Sequence, residues 1–235
     1  VGTGNSGHDV AQDLCASGAD VTLVQRSPTY VVSIREAQKV YAIYTEGLPF
    51  EDCDLLAAAS PYAVMRRAYQ LSTAEMRQVD RDLLAGLAKR GFRLTYGEDD
   101  TGFQMMYLRR GGGYYFNVGC SDMIVEGRIK LLQYDDIAGF EAGGVRLKDG
   151  TLREAELAVV ATGYKNQQET VRAFLGDTVA DRIGPVWGFD AGGELANMFK
   201  PTPQPGLWFI AGSLAQCRIY SRYLSLIHIS QGIVR

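Results

Sequence analysis

Apolar positions along this chain of 235 residues recur at helical spacing in some stretches and in short runs in others, and the changes between the two mark its elements. After the opening GTGNSG, residues Val10, Ala11, Leu14 and Cys15 fall on one helical face, and Gly18 ends the helix. Val21 to Val24 then form a short apolar run, bounded by Asp20 and by Gln25-Arg26-Ser27-Pro28, which predicts a buried parallel strand. From Ser33 to about Arg90 the chain is rich in Ala, Leu, Met, Glu and Arg, broken at Pro49 and Pro61, and reads as a helical insertion. Gly91 to Val118 mixes glycines with Phe103, Tyr107, Tyr114, Tyr115 and Phe116 without a helical period, which predicts short strands and loops. Three further strands are predicted over Arg128 to Tyr134, Gly144 to Leu147 and Leu157 to Val160, with a turn at Lys148-Asp149-Gly150. Beyond a proline-rich stretch, Leu207 to Ile210 reads as a strand running into Gly212-Ser213 and a helix from about Leu214.

Composition narrows the function classes. With 46% hydrophobic and 22% charged residues the chain can bury one large core or two modest ones. Its 24 Lys and Arg face 27 Asp and Glu, a net charge of -3 with no long basic run, which argues against a nucleic-acid partner. No apolar stretch approaches the roughly 20 residues of a membrane span and no signal pattern opens the chain, so a soluble cytoplasmic protein is expected. Cys15, Cys53, Cys120 and Cys217 are scattered, form no CxxC pair and accompany only His8 and His228. That excludes a zinc site or redox dithiol within this sequence and leaves the thiols as small hydrophobes.

The opening loop carries the clearest chemistry. Gly2, Gly4 and Gly7, with Asn5 and Ser6 between them, make a GxGxxG pattern. Its first glycine allows a tight turn, the second lets backbone approach a pyrophosphate, and the third lets helix and strand pack closely. The helix that follows points its N-terminus at the anion. The spacing alone also fits a plain glycine loop, but helix, turn and buried strand follow in the order of a dinucleotide fold, giving an α/β, Rossmann-like class. At the end of the second strand, where an enzyme preferring NAD places a carboxylate, stand Gln25, Arg26 and Ser27. A cation and a hydroxyl suit a 2′-phosphate, so NADPH is the expected nucleotide, the alternative being that Arg26 is a solvated loop residue.

GTGNSGHDVAQDL followed by ADVTLVQRSPTYVVS resembles the second nucleotide-binding motif of the flavin-containing monooxygenases. GFRLTYGEDDTGFQ, GGGYYFNVGCSDMIVEGRIKL, VVATGY and GLWFIAGSLAQCRIYSRYL are similar to later segments of bacterial and fungal members, so the resemblance covers about nine-tenths of the chain. It implies that Ala161, Thr162, Gly163 and Tyr164 form the family's ATGY element, where the chain passes from the NADPH domain back to the FAD domain. It also implies that Gly212 and Ser213 make a second FAD contact at a helix N-terminus. The implied chemistry is that NADPH reduces FAD and that oxygen, captured as a flavin C4a-hydroperoxide, passes to a small organic substrate. Tyr114 and Tyr115 line a substrate channel or, alternatively, belong to the core.

On this reading residues 1–160 form an NADPH-binding domain cut at its first strand, and 161–235 form the C-terminal part of an FAD-binding domain. Val1 stands one residue ahead of the glycine loop, so the sequence reads as a fragment lacking the N-terminal FAD half and inactive alone. The catalytic residues and the type of oxygenation lie outside it. Two other readings stay open: a flavoprotein disulfide reductase, whose paired cysteines would lie upstream, and a non-catalytic dinucleotide-binding redox sensor. The ending SLIHISQGIVR departs from the family's amphipathic continuation. From about Ser225 it reads either as the translated remnant of a sequencing adapter, leaving His228 without a role, or as a divergent terminus.

Overall fold

The computed structural model of the chain describes residues 1–233. Helix α1 (Asn5–Ala16) leads into strands β1 (Val21–Gln25) and β2 (Tyr30–Ser33). The helical stretch follows as α2 (Ile34–Ala37), a 3-10 segment (Gln38–Thr45), α3 (Phe50–Ala58), α4 (Tyr62–Val79) and α5 (Arg81–Lys89). Next come α6 (Gly102–Arg110), β3 (Tyr114–Asn117), α7 (Cys120–Glu126) and β4 (Ile129–Gln133). A meander of β5 (Ile137–Glu141), β6 (Gly144–Leu147) and β7 (Leu152–Glu154) precedes α8 (Gln167–Leu175), α9 (Asp177–Ile183) and α10 (Leu214–Ser230). The fold is mixed α/β with small sheets: β1 pairs with β4 and β2 with β3, both parallel, and β5, β6 and β7 form an antiparallel sheet.

Two compact units divide the chain. The first comprises Val1–Val40, Arg66–Tyr107 and Gly112–Gly163. Its core gathers Ala11 of α1, Val21 and Leu23 of β1, Ile129 of β4, Leu84 and Leu87 of α5, and Ile124 of α7. The register of β1 on β4 runs from Val21 opposite Ile129 to Gln25 opposite Gln133, so both strands end level in a glutamine. A second cluster in this unit joins Tyr30 and Val32 of β2 to Met76, Phe103 and Met106.

The other unit comprises Tyr41–Met65, Leu108–Gly111 and Tyr164–Arg235, with Val171, Ala180, Ile183, Val186, Met198 and Phe199 at its core. Part of the stretch read from sequence as one insertion thus packs with the C-terminal segment. An ionic contact marks the reason: Arg218 of α10 donates from Nε to Asp54 Oδ2 at 3.0 Å and from Nη2 to Oδ1, while Tyr44 donates to the same carboxylate at 2.8 Å. The Arg218 hydrogen bond holds the Asp54 carboxyl below the usual carboxylate range.

Three predicted elements are corrected. Gly91 to Val118 contains helix α6, whose first five residues, Gly102 to Met106, are all buried. A helix buried around its circumference shows no one-sided period, which is why the sequence concealed it. Leu157 to Val160 does not form a strand: its backbone pairing is a single rung, Val1 N to Val159 O at 2.6 Å and Ala161 N to Val1 O at 2.8 Å. Leu157 and Val160 stay exposed beside it. Leu207 to Ile210 likewise reduces to one parallel bridge, Met198 to Phe209.

Helix α10 continues through Ser225 to Ser230, and His228 meets the Trp208 ring edge-on with centroids 4.3 Å apart. The last two residues of the expected tail, 234 and 235, lie outside the described residues.

Candidate functional site

The glycine loop is built by close backbone approach. Gly2 has a φ of +114°, and a Cβ there would lie 2.3 Å from the carbonyl oxygen of Ala161. Its N–H donates to Val24 O of β1 at 3.0 Å, so the loop is pinned on both sides. A Cβ on Gly7 would lie 2.1 Å from the carbonyl oxygen of Gly2, so α1 can meet the loop only through a residue without a side chain. Gly4 differs. Its φ is -81°, and a Cβ would find its nearest neighbour, Tyr114 O, at 4.0 Å. Nothing in the packing demands glycine there.

Gly4 is also the N-cap of α1, and no side chain caps that helix. Asn5, the first helical residue, turns its carboxamide oxygen to accept from the Phe116 N–H at 3.0 Å, and Ser6 is exposed. Thr3 and Thr29 share a buried hydroxyl contact of 2.6 Å. One turn into the helix, His8 is fully buried and stacks on Tyr115 with ring centroids 3.8 Å apart. Burial lowers its pKa to about 4, so the imidazole is neutral at pH 7 and adds no charge below the loop.

At the end of β1 the three residues expected to choose the nucleotide separate. Arg26 and Ser27 are exposed on the turn to β2. Gln25 is fully buried, and its side chain is occupied: Nε2 donates to Arg93 O at 2.9 Å, and Oε1 accepts from Arg93 N at 2.8 Å and from Gln133 Nε2 at 3.1 Å. Gln25 therefore braces the turn and offers a ligand no side-chain group. The Arg93 guanidinium continues that brace, donating from Nη2 to Arg26 O at 2.7 Å and from Nη1 to Asp135 Oδ2 at 2.7 Å. Sequence reasoning gave Arg93 no role although it lies in the GFRLTYGEDDTGFQ segment, because it is 67 residues from the turn that it holds.

Ala161 forms the wall behind Gly2, and Thr162 and Gly163 are exposed on the same unit. Tyr164, the first residue of the second unit's last segment, is fully exposed. In that unit Gly212 has a φ of +108° and precedes Ser213, the N-cap of α10. Ser213 and Gln216 close a capping box: the Gln216 N–H donates to Ser213 Oγ at 3.2 Å, and the Ser213 N–H donates to Gln216 Oε1 at 3.3 Å. The Ser213 hydroxyl is thus committed to its own helix.

The aromatic stretch is core. Tyr115 is fully buried under His8, and Tyr114 and Phe116 pack with Phe103 at centroid distances of 6.0 and 4.9 Å. Asp99 and Asp100 occupy a left-handed turn, and Thr101 Oγ1 donates to Glu98 O at 2.6 Å, so these residues shape a bend. Cys53 and Cys120 are buried, and burial pushes the Cys120 thiol up to about 12. Cys15 and Cys217 are half-buried, and all four thiols are free. Among the described residues no cluster of His, Cys, Asp and Glu could hold a metal ion. Nor, among them, is any helix long and apolar enough to cross a membrane.

No family model matches the sequence. Over 176 residues it is 27% identical to the "Probable FAD-binding monooxygenase AlmA" of Acinetobacter baylyi and 26% identical to the protein of the same name from an Acinetobacter species. Each match takes in 71% of this chain and 33% of the relative, so the matched part spans about a third of the relatives' length. The chain is distantly similar to part of a probable FAD-binding monooxygenase.

Proposed function

We propose that the chain is the C-terminal portion of an NADPH-dependent, FAD-containing monooxygenase, and that residues 2–7 with Arg26 and Ser27 hold the ADP half of NADPH. The observation carrying this reading is the contrast among the three glycines at an uncapped helix start. Gly2 and Gly7 are required by backbone contacts, whereas Gly4 is bare with no packing reason to be so. A pyrophosphate over Gly4 meets the first N–H groups of α1 at the positive end of the helix dipole. Arg26 supplies a fixed cation and Ser27 a hydroxyl donor for the 2′-phosphate, and no carboxylate ends β1 to repel it.

In this reading Tyr164 and Gly212, both in the second unit, supply contacts to FAD. The contact near Ser213 falls to backbone, since its hydroxyl is occupied. When bound, FAD supplies the transfer of electrons from NADPH to oxygen that a monooxygenase requires. The residues of this chain position the nucleotide, and the organic substrate is met by the whole protein.

Titrating the 235-residue chain with NADPH and NADH tests the nucleotide assignment. NADPH is expected to bind about tenfold tighter, from one charge-assisted phosphate contact, and Arg26→Ala is expected to bring the two affinities together. Equal affinities in the unaltered chain would overturn it. For the whole protein, a flavin absorbance spectrum with NADPH-dependent oxygen uptake is expected. NADPH binding without flavin would refute the monooxygenase reading.

A further inference from the structure

We infer that Arg93 is the positioning residue behind the nucleotide preference: it holds the Arg26–Ser27 turn in the shape that recognises a 2′-phosphate. This rests on the NADPH reading above and deepens it. The turn between β1 and β2 closes around Arg93 from both ends. Gln25 Nε2 on one side and the Thr29 N–H on the other both donate to the Arg93 carbonyl oxygen, at 2.9 and 3.0 Å. The Arg93 N–H returns a bond to Gln25 Oε1. These contacts use backbone atoms of Arg93 and would survive any side chain there.

The guanidinium does something different. Nη2 donates to Arg26 O, with a longer contact to Gln25 O at 3.4 Å, while Nη1 is anchored on Asp135. The carbonyl of the residue that bears the phosphate-binding cation is therefore tied to a rigid fork, itself tethered to the residues after β4. Arg26 is exposed on the four-residue turn between β1 and β2, and without that fork its backbone could rotate away from the register a bidentate phosphate contact needs. The Arg93 side chain is only about one-third exposed, with relative accessibility of 35%, so its bonds to the turn are partly shielded from water. A lysine there could not replace the fork, because a single ammonium is not preorganised to hold Arg26 O and Asp135 together.

The test is isothermal titration of the full chain and its variants with 2′,5′-ADP and with 5′-AMP, which differ by the phosphate alone. In the unaltered chain 2′,5′-ADP is expected to bind more tightly. Arg93→Met is expected to cut that preference by about fivefold or more, the scale of one lost charge-assisted bond, with 5′-AMP affinity unchanged. Arg93→Lys keeps the charge and should still lose at least about half of the preference if the fork matters, since charge alone acts through solvent. Thermal melts identify whether each variant is folded, and Arg93→Lys serves if Arg93→Met is not. Unchanged preference in a folded variant, or an equal loss for both ligands, overturns the role of Arg93 and leaves the NADPH reading standing. No preference in the unaltered chain overturns both.

Discussion

Two helix starts in this protein look alike in sequence and are built in opposite ways. Helix α1 follows Gly4 and helix α10 follows Gly212-Ser213, each at a glycine-containing turn. At α10 the protein satisfies its own helix: Ser213 and Gln216 exchange bonds in a capping box, and no ligand is needed to complete it. At α1 no side chain caps the helix, the only candidate carboxamide being drawn away to the Phe116 N–H, and the glycines bring bare backbone to the opening. The unsatisfied donors at a helix start must find a partner. A self-capped end contributes to stability, whereas an uncapped one at a glycine cradle is suited to an anion.

Four outcomes would break or sharpen this contrast. The largest is expected at Gly7. Gly7→Ala places a methyl 2.1 Å from Gly2 O and should destabilise the first unit by about 3 kcal/mol, read as a lowered denaturation midpoint. Gly4→Ala meets nothing closer than 4.0 Å and should cost under about 1 kcal/mol while still weakening NADPH. If both alanines melt alike, the two glycines do not differ in the way proposed.

The next effect is pH dependence peculiar to the α1 end. His8 has its pKa lowered by burial from 6.5 to about 4. Between those values the unfolded chain binds a proton that the folded chain refuses, so stability rises with pH across the window and is lost as pH falls from about 6.5 to 4. The loss should reach about 3 kcal/mol. Denaturant titrations at pH 7 and pH 4 should show His8→Gln free of that component, and an identical pH slope in the variant would remove His8 from the account. The capping box at α10 contains no ionisable group and should show no matching term.

A smaller loss is expected on removing the brace beneath the turn between β1 and β2. Gln25→Leu leaves the half-buried Arg93 N–H without its carboxamide partner and should cost about 2 kcal/mol. A variant as stable as the parent chain would mean that the residues around Arg93 repack. The smallest effect belongs to the other helix: Ser213→Ala should cost about 1 kcal/mol, with faster hydrogen exchange at the Gln216 amide, and Ser213→Asn should restore most of it. Exchange unchanged at Gln216 would argue that α10 does not depend on its cap.

Much of the local structure was legible beforehand. The face formed by Ala11, Leu14 and their neighbours marked α1, the run Val21 to Val24 marked β1, and the Ala- and Leu-rich stretch marked the helices from α2 to α5. Helix α6 was not legible, because five consecutive buried residues erase the period that would betray it. Nor was the fate of Leu157 to Val160. An apolar run becomes a strand only where a neighbour lies alongside over several residues, and here only the single rung at Val1 forms.

For the candidate site the division is equally physical. The sequence by itself determined the glycine spacing, the absence of a carboxylate at the end of β1 and the helix that follows the loop, since each depends on residues a few positions apart. Only the tertiary structure decided which glycines are forced and which is free, that Gln25 is a buried brace while Arg26 and Ser27 face solvent, and that Arg93 stands behind them. Those facts depend on atoms brought to within hydrogen-bonding or van der Waals distance by the packing of Ala161, Arg93 and Asp135 around the loop, and long-range proximity of that kind leaves no periodic mark along the chain.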